Sequence, residues 1–283
     1  PIISKRDKSY FHRFSYIFEN DVVDLILNTY KKNKLSNSIK KNSFLKKELF
    51  FAASMIEVPF EESFCEIADN LIKEGIKYFH IDVGDGVFIS RKFSGLTKLS
   101  YLSNLKKDIK IHTHLMVKEP FLKLSNNKNY IDSYIDAGSN AIALHSRSFE
   151  SLNELKTAMD YIKKRNCRPG LLIEVNNNNL PELWRLIKSL KINWVVVMGV
   201  PIGYGGQLFQ SSSLRTINFL RNMSIDESID LFDIEVDGGL NFNNINQCLE
   251  AGANIFSGWS IIKADSVNLI INNYKKLVKQ ISN

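Results

Sequence analysis

The sequence predicts an α/β protein, a (β/α)₈ TIM barrel with an N-terminal helical extension. Eight short apolar runs follow residue 48, and longer segments with apolar residues at i, i+3 and i+4 separate them. Strands that alternate with amphipathic helices indicate parallel βαβ units, and eight such units suit a closed barrel. A doubly wound open sheet is the alternative, which the absence of Gly-x-Gly-x-x-Gly before the first helix disfavours.

The predicted strands begin with "LFFAASMI" and end with "IFSGWSI". In order they cover residues 49–56, 77–83, 110–116, 141–145, 169–175, 194–200, 233–239 and 255–261. Segments such as "EESFCEIADNLIKEG" and "SLNELKTAMDYIKKR" lie between them and have the apolar spacing of amphipathic helices. We therefore expect residues 49–283 to form the barrel domain.

Residues 1–48 differ from the rest in charge. They hold 11 Lys/Arg and 5 Asp/Glu, a net +6, whereas the remainder holds 26 and 25, a net +1. The stretch "ENDVVDLILNTYKK", residues 19–32, predicts one amphipathic helix. The lysines after it have no interleaved aromatic residues, so we expect a solvated extension rather than a nucleic-acid contact.

The composition limits the class of protein. The chain of 283 residues is 44% hydrophobic, yet no apolar run approaches the roughly 20 residues of a membrane span. Its first residues lack the apolar segment of a secretory signal, and its 3 cysteines show no CxxC spacing. We expect a cytoplasmic protein with reduced thiols and no membrane partner.

Polar side chains occupy the ends of three predicted strands. In "YFHIDVGDG", His80 and Asp82 are two residues apart and share one face of the strand. In "KIHTHLM", His112 and His114 share a face, and in "DIEVDGG" Asp237 ends the strand. Barrel enzymes place their catalytic groups at the carboxyl ends of strands. His80, Asp82, His114 and Asp237 thus bring two imidazoles and two carboxylates to the strand ends. This set predicts a site for one divalent metal ion, either zinc, iron, manganese or cobalt.

These motifs resemble the ribulose-phosphate 3-epimerase family over residues 50–262. The pieces "HIDVGDG", "HLMVKEP", "GYGGQLF" and "IEVDGG" occur in that family's order and approximate spacing. The resemblance implies a (β/α)₈ barrel and a metal held by His80, Asp82, His114 and Asp237. It also implies that Asp82 and Asp237 act as acid and base, and that the protein forms a homo-oligomer.

The expected reaction inverts a carbon beside a carbonyl group. One carboxylate removes the proton and the other returns a proton to the opposite face, while the metal stabilises the enediolate. By the resemblance, the default substrate is D-ribulose 5-phosphate, converted to D-xylulose 5-phosphate.

Glycine-rich loops predict the phosphate site. Glycine backbones let N–H groups approach an anion closely, and loops after the last strands of such barrels commonly bind phosphate. The predicted phosphate-binding residues are Gly203, Tyr204, Gly205, Gly206, Gly238, Gly239, Gly258 and Trp259.

Other positions depart from the family's pattern. Glu57 stands where the family has serine, Gly84 replaces a methionine, and Trp259 replaces a serine. We expect substrate contacts from Glu57, Met116, Arg91 and Glu174. These changes leave alternatives open: an allulose-6-phosphate 3-epimerase, another ketose-phosphate epimerase, or a catalytically silent sugar-phosphate-binding homologue. Related decarboxylase and aldolase barrels use D-x-K-x-x-D, and Gly84 stands where the lysine would be.

Overall fold

The computed structural model describes residues 48–105, 108–124, 127–229 and 232–282. The predicted helix over residues 19–32 lies outside these ranges. The predicted division of the chain at residue 48 stays a prediction. No helix in the described ranges combines the length and the apolar character needed to cross a membrane.

Eight parallel strands form a closed barrel in the described part of the chain. Besides a short additional strand, β3 Lys92–Phe93, the eight barrel strands are β1 Phe50–Ser54, β2 Tyr78–Asp85, β4 Lys110–Met116, β5 Ala141–His145, β6 Arg168–Ile173, β7 Trp194–Met198, β8 Asp233–Asp237 and β9 Ile255–Gly258. Their order is β1-β9-β8-β7-β6-β5-β4-β2, and a β1–β2 pairing closes the ring. The short β3 pairs antiparallel to the end of β2 and lies outside the ring. The predicted fold class is confirmed.

The barrel strands alternate with helices along the chain. The helices are α1 Cys65–Lys73, α2 Leu96–Asn104, α3 Tyr130–Asp136, α4 Leu152–Lys164, α5 Leu180–Leu190, α6 Ser212–Asp226, α7 Ile245–Ala251 and α8 Val267–Ser282. Polar residues begin three of them: Asn129, Ser151 and Asn179 each accept a hydrogen bond from the backbone N–H three residues on. Such caps satisfy donors that have no partner inside the helix.

Alternation along each strand separates two apolar cores. Outward residues such as Ile142 and Leu144 join the large core beneath the helices, whereas Ala141 and Ala143 join a smaller core inside the barrel. Trp194 fills much of the inner core, and Gly170 leaves room for its ring, because any Cβ there would collide with it. The interior is therefore packed at its base, and polar residues occupy its carboxyl end.

Candidate metal centre and substrate cavity

Four side chains meet at the carboxyl ends of three strands. His80 and Asp82 lie on β2, His114 lies on β4 and Asp237 ends β8. Parallel pairing of β2 with β4 sets Asp82 directly beside His114. His80, His114 and Asp237 are buried, and the side chain of Asp82 is 15% exposed. We call these four residues the His–Asp group.

The nitrogen and oxygen atoms of the His–Asp group point at one another. Asp82 Oδ1 lies 3.3 Å from His80 Nε2 and 3.2 Å from His114 Nδ1. Asp237 Oδ2 lies 3.6 Å and 3.5 Å from the same two nitrogens. Ligands bound at about 2.0–2.1 Å to a tetrahedral ion are about 3.3 Å apart. The spacing therefore fits four ligands around one metal ion.

One buried nitrogen of the His–Asp group has no hydrogen-bond partner among the described residues. His80 Nε2 is buried and makes no hydrogen bond to any described residue, although its other ring nitrogen, Nδ1, lies 2.8 Å from Glu235 Oε1. A buried polar atom without a partner is costly. Because Nε2 faces two carboxylates, a cation between them would supply that partner. The residues present fit a divalent metal ion.

Charge within the group shifts its pKa values. Burial alone would lower the pKa of His80, but Asp237 and Asp82 raise it well above the ordinary value. Burial alone would raise the pKa of Asp82, but His80 and a hydrogen bond from His114 hold it well below the ordinary value. Asp82 is therefore ionised at neutral pH. Its second oxygen, Oδ2, accepts a hydrogen bond of 2.7 Å from Ser54 at the end of β1.

A second polar cluster lies one layer deeper. Glu235 is fully buried; its Oε2 lies 2.7 Å from His112 Nδ1 and accepts a 3.0 Å bond from Trp194 Nε1, while its Oε1 accepts from Ser257. We call Glu235, His112, Trp194 and Ser257 the Glu235 cluster. Sequence reasoning did not single out Glu235. Its position two residues before Asp237, on the same strand face, was the available indication.

A chain of polar contacts runs outward from the other histidine. His114 Nε2 lies 2.9 Å from Nε2 of the buried His145, which ends β5. His145 Nδ1 lies 3.3 Å from Glu174 Oε1, which also accepts a 2.6 Å bond from Arg147 Nε. Burial lowers the pKa of His145 to about 4, so the ring is neutral at pH 7. Sequence reasoning also missed His145, although it ends the run "AIALH" on the same face as Ala141 and Ala143.

A cavity of ≈ 180 Å³ opens above the His–Asp group, and Asp82, His114 and Asp237 line it. All eight residues predicted to bind phosphate line the same cavity: Gly203, Tyr204, Gly205, Gly206, Gly238, Gly239, Gly258 and Trp259. Gly239 has φ +70°, and a Cβ there would lie 2.8 Å from backbone of Phe209. Lys263, which sequence reasoning did not single out, adds a cationic side chain to the lining.

Three of the four predicted substrate contacts line this cavity: Glu57, Met116 and Arg91. Arg91 Nη1 lies 3.7 Å from Glu57 Oε1, and both side chains are roughly half exposed. Glu174 does not line it: its carboxylate turns to His145 and Arg147 and lines a separate outer cleft of ≈ 680 Å³. The contacts beyond the end of β6, rather than the strand alternation, direct the Glu174 side chain.

The segment after β2 contacts the glycine loop that lines the cavity. Ser90 Oγ lies 3.0 Å from Tyr204 Oη, which joins this segment to the glycine loop after β7. A Cβ at Gly84 would lie 2.7 Å from the carbonyl oxygen of Arg91 and 2.8 Å from Ile89 Cδ1. Ile89 and the turning backbone thus occupy the volume that a side chain at position 84 would need.

Comparison with known proteins matches the part of the chain that forms the barrel. A sequence profile described as the Ribulose-phosphate 3 epimerase family matches residues 51–262. Ribulose-phosphate 3-epimerase of Buchnera aphidicola subsp. Schizaphis graminum is 27% identical over 238 residues, which cover 83% of this chain and 97% of that protein. The cytoplasmic isoform of ribulose-phosphate 3-epimerase from Oryza sativa subsp. japonica is 29% identical over 233 residues, 81% of this chain and 93% of its own.

Solved structures support the fold alone. The 3-keto-L-gulonate-6-phosphate decarboxylase of Vibrio cholerae superposes with a TM-score of 0.56 at 13% identity, covering 84% of this chain and 98% of its own. A 3-hexulose-6-phosphate synthase superposes with a TM-score of 0.53 at 15% identity, covering 81% and 99%. At such low identity the shared feature is the barrel, and the chemistry depends on the residues at its carboxyl end.

Proposed function

Because the chain belongs to the ribulose-phosphate 3-epimerase family, we propose that it is a metal-dependent 3-epimerase that converts D-ribulose 5-phosphate to D-xylulose 5-phosphate. The family and its isomerase class follow from the profile match and from the curated relatives. The substrate, the metal and the roles of individual residues are the parts proposed. One observation carries them: Asp82 and Asp237 both contact His80 and His114 at the floor of one cavity.

The His–Asp group is the proposed metal site. His80 Nε2, His114 Nδ1 and one oxygen from each aspartate are the ligand atoms, and all four lie within 4.8 Å of one another. Mixed imidazole and carboxylate ligands suit zinc, iron, manganese or cobalt. When bound, such an ion supplies positive charge that stabilises the negative charge developing on the sugar oxygens.

The two aspartates would move the proton at C3. Epimerisation requires one ionised carboxylate to take the proton and one protonated carboxyl group to return a proton from the other face. The pKa of Asp82 is held well below the ordinary value, so this carboxylate is ionised and able to accept a proton; which aspartate acts first depends on the direction of the reaction. Ser54 donates to Asp82 Oδ2 and would hold that carboxylate in position.

The other end of the cavity would hold the phosphate. The glycine loops after β7, β8 and β9 all line it, and Lys263 adds positive charge beside Gly258 and Trp259. Backbone N–H groups at glycine residues bind anions at short range, and a lysine adds Coulombic attraction. A phosphate held there would place the carbon chain of the ketose across the His–Asp group.

Altered residues at the mouth bear on substrate length. Glu57 and Arg91 pair at the rim, and Trp259 lines the wall. A six-carbon ketose phosphate is the second candidate substrate, because the rim pair offers a carboxylate and a guanidinium to an additional hydroxyl group.

Solvent exchange at C3 tests the proposal. The purified full chain, loaded with Zn²⁺, Mn²⁺, Co²⁺ or, without oxygen, Fe²⁺, would be incubated with D-ribulose 5-phosphate in deuterated water and followed by NMR. We expect deuterium at C3 together with xylulose 5-phosphate. Asp82→Asn and Asp237→Asn should lose both signals, whereas the exposed Asp160→Asn on α4 should retain them.

Each other outcome has a definite meaning. Exchange that persists in Asp82→Asn would contradict the proton-transfer role. Exchange only with six-carbon ketose phosphates would replace the substrate. Absence of exchange with every ketose phosphate and every metal would overturn the epimerase proposal in favour of a silent sugar-phosphate-binding homologue.

The assembly and the location of the protein are also proposed. We infer a homo-oligomer on the basis of the family. We infer a location in the cytoplasm because one relative is described as a cytoplasmic isoform. Light scattering coupled to size-exclusion chromatography tests the first point, and a monomeric mass would refute it. Cell fractionation with an antibody tests the second, and recovery in an organelle or membrane fraction would refute it.

A further inference from the structure

We propose that His145 and Glu174 are positioning residues which hold His114 in the tautomer that presents Nδ1 to the metal. This inference rests on the proposed function, since it concerns the same metal site. It assigns a role to two residues outside the His–Asp group, both of which line the outer cleft.

The first step concerns the protons of two facing imidazoles. His114 Nε2 and His145 Nε2 are 2.9 Å apart, and both rings are buried. A neutral imidazole carries one N–H and one lone pair, so this contact is a hydrogen bond only when one of the two nitrogens is protonated. His114 has its Nδ1 facing Asp82 and Asp237, where a metal ligand must offer a lone pair. With a metal bound, Nδ1 therefore no longer donates to Asp82, the ring proton of His114 is on Nε2, and His145 must accept it.

The second step follows the proton of His145 outward. If His145 Nε2 accepts, its N–H is on Nδ1, which lies 3.3 Å from Glu174 Oε1. Arg147 Nε donates to the same oxygen at 2.6 Å and keeps that carboxylate ionised. The ring of Phe88 contacts both side chains, with its centroid 4.6 Å from the imidazole centroid and 4.0 Å from the guanidinium carbon. Glu174 therefore sets the direction of both hydrogen bonds.

The reverse arrangement shows why this matters. Without an acceptor at Nδ1, His145 is free to carry its proton on Nε2 and donate it to His114. The proton of His114 would then be on Nδ1, in the position needed for the metal. A carboxylate that orients a ligating histidine is a general device of metal sites, and its loss weakens metal binding by about 10- to 100-fold. Here a second histidine transmits the effect.

The two metal-facing histidines are thus oriented in different ways. His80 reaches its carboxylate directly, through the 2.8 Å contact of Nδ1 with the buried Glu235. His114 reaches Glu174 through His145, and the Glu174 side chain is 41% exposed. Because Glu174 is at the surface, it can be substituted without opening the barrel interior.

Metal affinity is the measurement that tests this inference. The Zn²⁺ dissociation constant of the purified full chain would be determined by competition with a chromophoric chelator, for wild type, Glu174→Ala and Glu174→Gln. We expect affinity to fall about 10- to 100-fold in Glu174→Ala and less in Glu174→Gln, whose carbonyl oxygen still accepts. The matched control is Glu182→Ala, which lines the same outer cleft and makes no contact with His145 among the described residues.

A pair of substitutions at His145 checks the intermediate link. His145→Phe should weaken Zn²⁺ binding as much as Glu174→Ala, and His145→Gln, which can accept from His114 Nε2, should restore part of it. Circular dichroism establishes that each variant is folded. Nitrogen-15 NMR of the histidine rings should show Zn²⁺ on Nδ1 and the proton on Nε2 of His114 in wild type.

Failure of this inference is distinguishable from failure of the proposed function. Unchanged Zn²⁺ affinity in Glu174→Ala, or a proton on Nδ1 of His114 in the Zn²⁺ form, overturns the positioning role even in an active epimerase. Wild-type protein that binds no metal overturns it as well. Wild-type protein that binds Zn²⁺, with weakened binding in Glu174→Ala but no C3 exchange with any of the ketose phosphates and metals tested, supports the positioning role and refutes only the epimerase.

Discussion

The His–Asp group and the Glu235 cluster have similar chemistry but differ in whether their buried polar atoms have hydrogen-bond partners. Both place imidazoles against carboxylates inside the barrel. In the Glu235 cluster every carboxylate oxygen has partners, and His80, His112, Trp194 and Ser257 surround it. In the His–Asp group, His80 Nε2 has no hydrogen-bond partner among the described residues and the aspartates face a cavity. A satisfied buried cluster stabilises a fold, whereas an unsatisfied one beside a cavity indicates a ligand site.

Neutralising Asp82 should produce the largest effect and should leave the fold intact. Asp82→Asn removes the proposed base and one metal ligand, so kcat should fall by about 10²- to 10⁴-fold. The free energy of unfolding of the metal-free protein should also fall, because the lowered pKa of Asp82 means that its charge stabilises the fold, but it should fall by less than in Glu235→Gln, because Asp237 still faces the same two histidines. Steady-state kinetics and urea denaturation, with Asp160→Asn as control, check both parts. If the free energy of unfolding fell by as much as the activation free energy rose, the distinction between the two clusters would be wrong.

Glu235→Gln should act mainly on the stability of the fold, whereas Asp82→Asn acts mainly on kcat. Replacing one carboxylate oxygen by an amide puts a donor against groups that already donate, at a fully buried position. Breaking a buried, hydrogen-bonded charge costs about 3–5 kcal/mol, so we expect a loss of that order in the free energy of unfolding. Urea denaturation measures it, and Glu250→Gln on the exposed surface of α7 is the control. A loss below about 1 kcal/mol would show that the deeper cluster does not stabilise the fold.

Lys98 is a buried cation with no carboxylate partner in the described ranges, which distinguishes it from both clusters. Its Nζ donates to the carbonyl oxygens of Met55 and Ile56 at 2.9 Å and 2.6 Å, and burial lowers its pKa to about 8. Lys98→Met should therefore cost only about 1–2 kcal/mol at pH 7, because lost hydrogen bonds are offset by removal of a buried charge.

The pH dependence of this difference has a definite sign. The folded pKa of Lys98 lies below the unfolded value, so the unfolded chain binds more protons between about pH 8 and 10.5, and stability from this group rises with pH in that window. The difference in unfolding free energy between wild type and Lys98→Met should grow from pH 8 to pH 10. Groups common to both proteins cancel. A flat or falling difference would contradict the lowered pKa.

The Glu57–Arg91 pair should have the smallest effect on stability. The two side chains are about half exposed and 3.7 Å apart, and exposed ion pairs contribute about 0–1 kcal/mol. Arg91→Gln should leave the unfolding free energy within about 0.5 kcal/mol of wild type. It should raise KM for the phosphorylated ketose several-fold, because Glu57 is then an unpaired charge near an anion. Glu57→Gln should not raise KM, and equal KM values in all three proteins would remove the pair from substrate recognition.

Strand positions were predictable because a barrel strand is buried on both faces and is therefore a short apolar run, along which successive side chains alternate between the two faces. The predicted run 110–116 coincides with β4 and 141–145 coincides with β5, while the other runs extend into adjoining loops by one or more residues. The same alternation placed His80 and Asp82 on one face, and parallel pairing brought them beside His114. Residues within strands were therefore assigned correctly to the barrel interior from spacing alone.

Residues beyond the strand ends were less predictable. Glu174 follows β6 and was expected in the cavity, but Arg147 and His145 bind its carboxylate in the outer cleft. Gly84 looked like a missing side chain, whereas Ile89 occupies the space next to it. A loop side chain is directed by contacts with segments distant in sequence, and spacing carries no information about those contacts.

The barrel and the four residues of the His–Asp group were predictable from local pattern, because apolar runs, side-chain alternation and strand-end position are properties of neighbouring residues. The hydrogen-bond partners of these groups, in contrast, depend on how the strands pack together. The partners of Glu235 come from β2, β4, β7 and β9, and the link from His114 to Glu174 joins β4, β5 and the end of β6. These contacts depend on distances of about 3 Å between residues far apart in sequence, which are established only when the barrel closes.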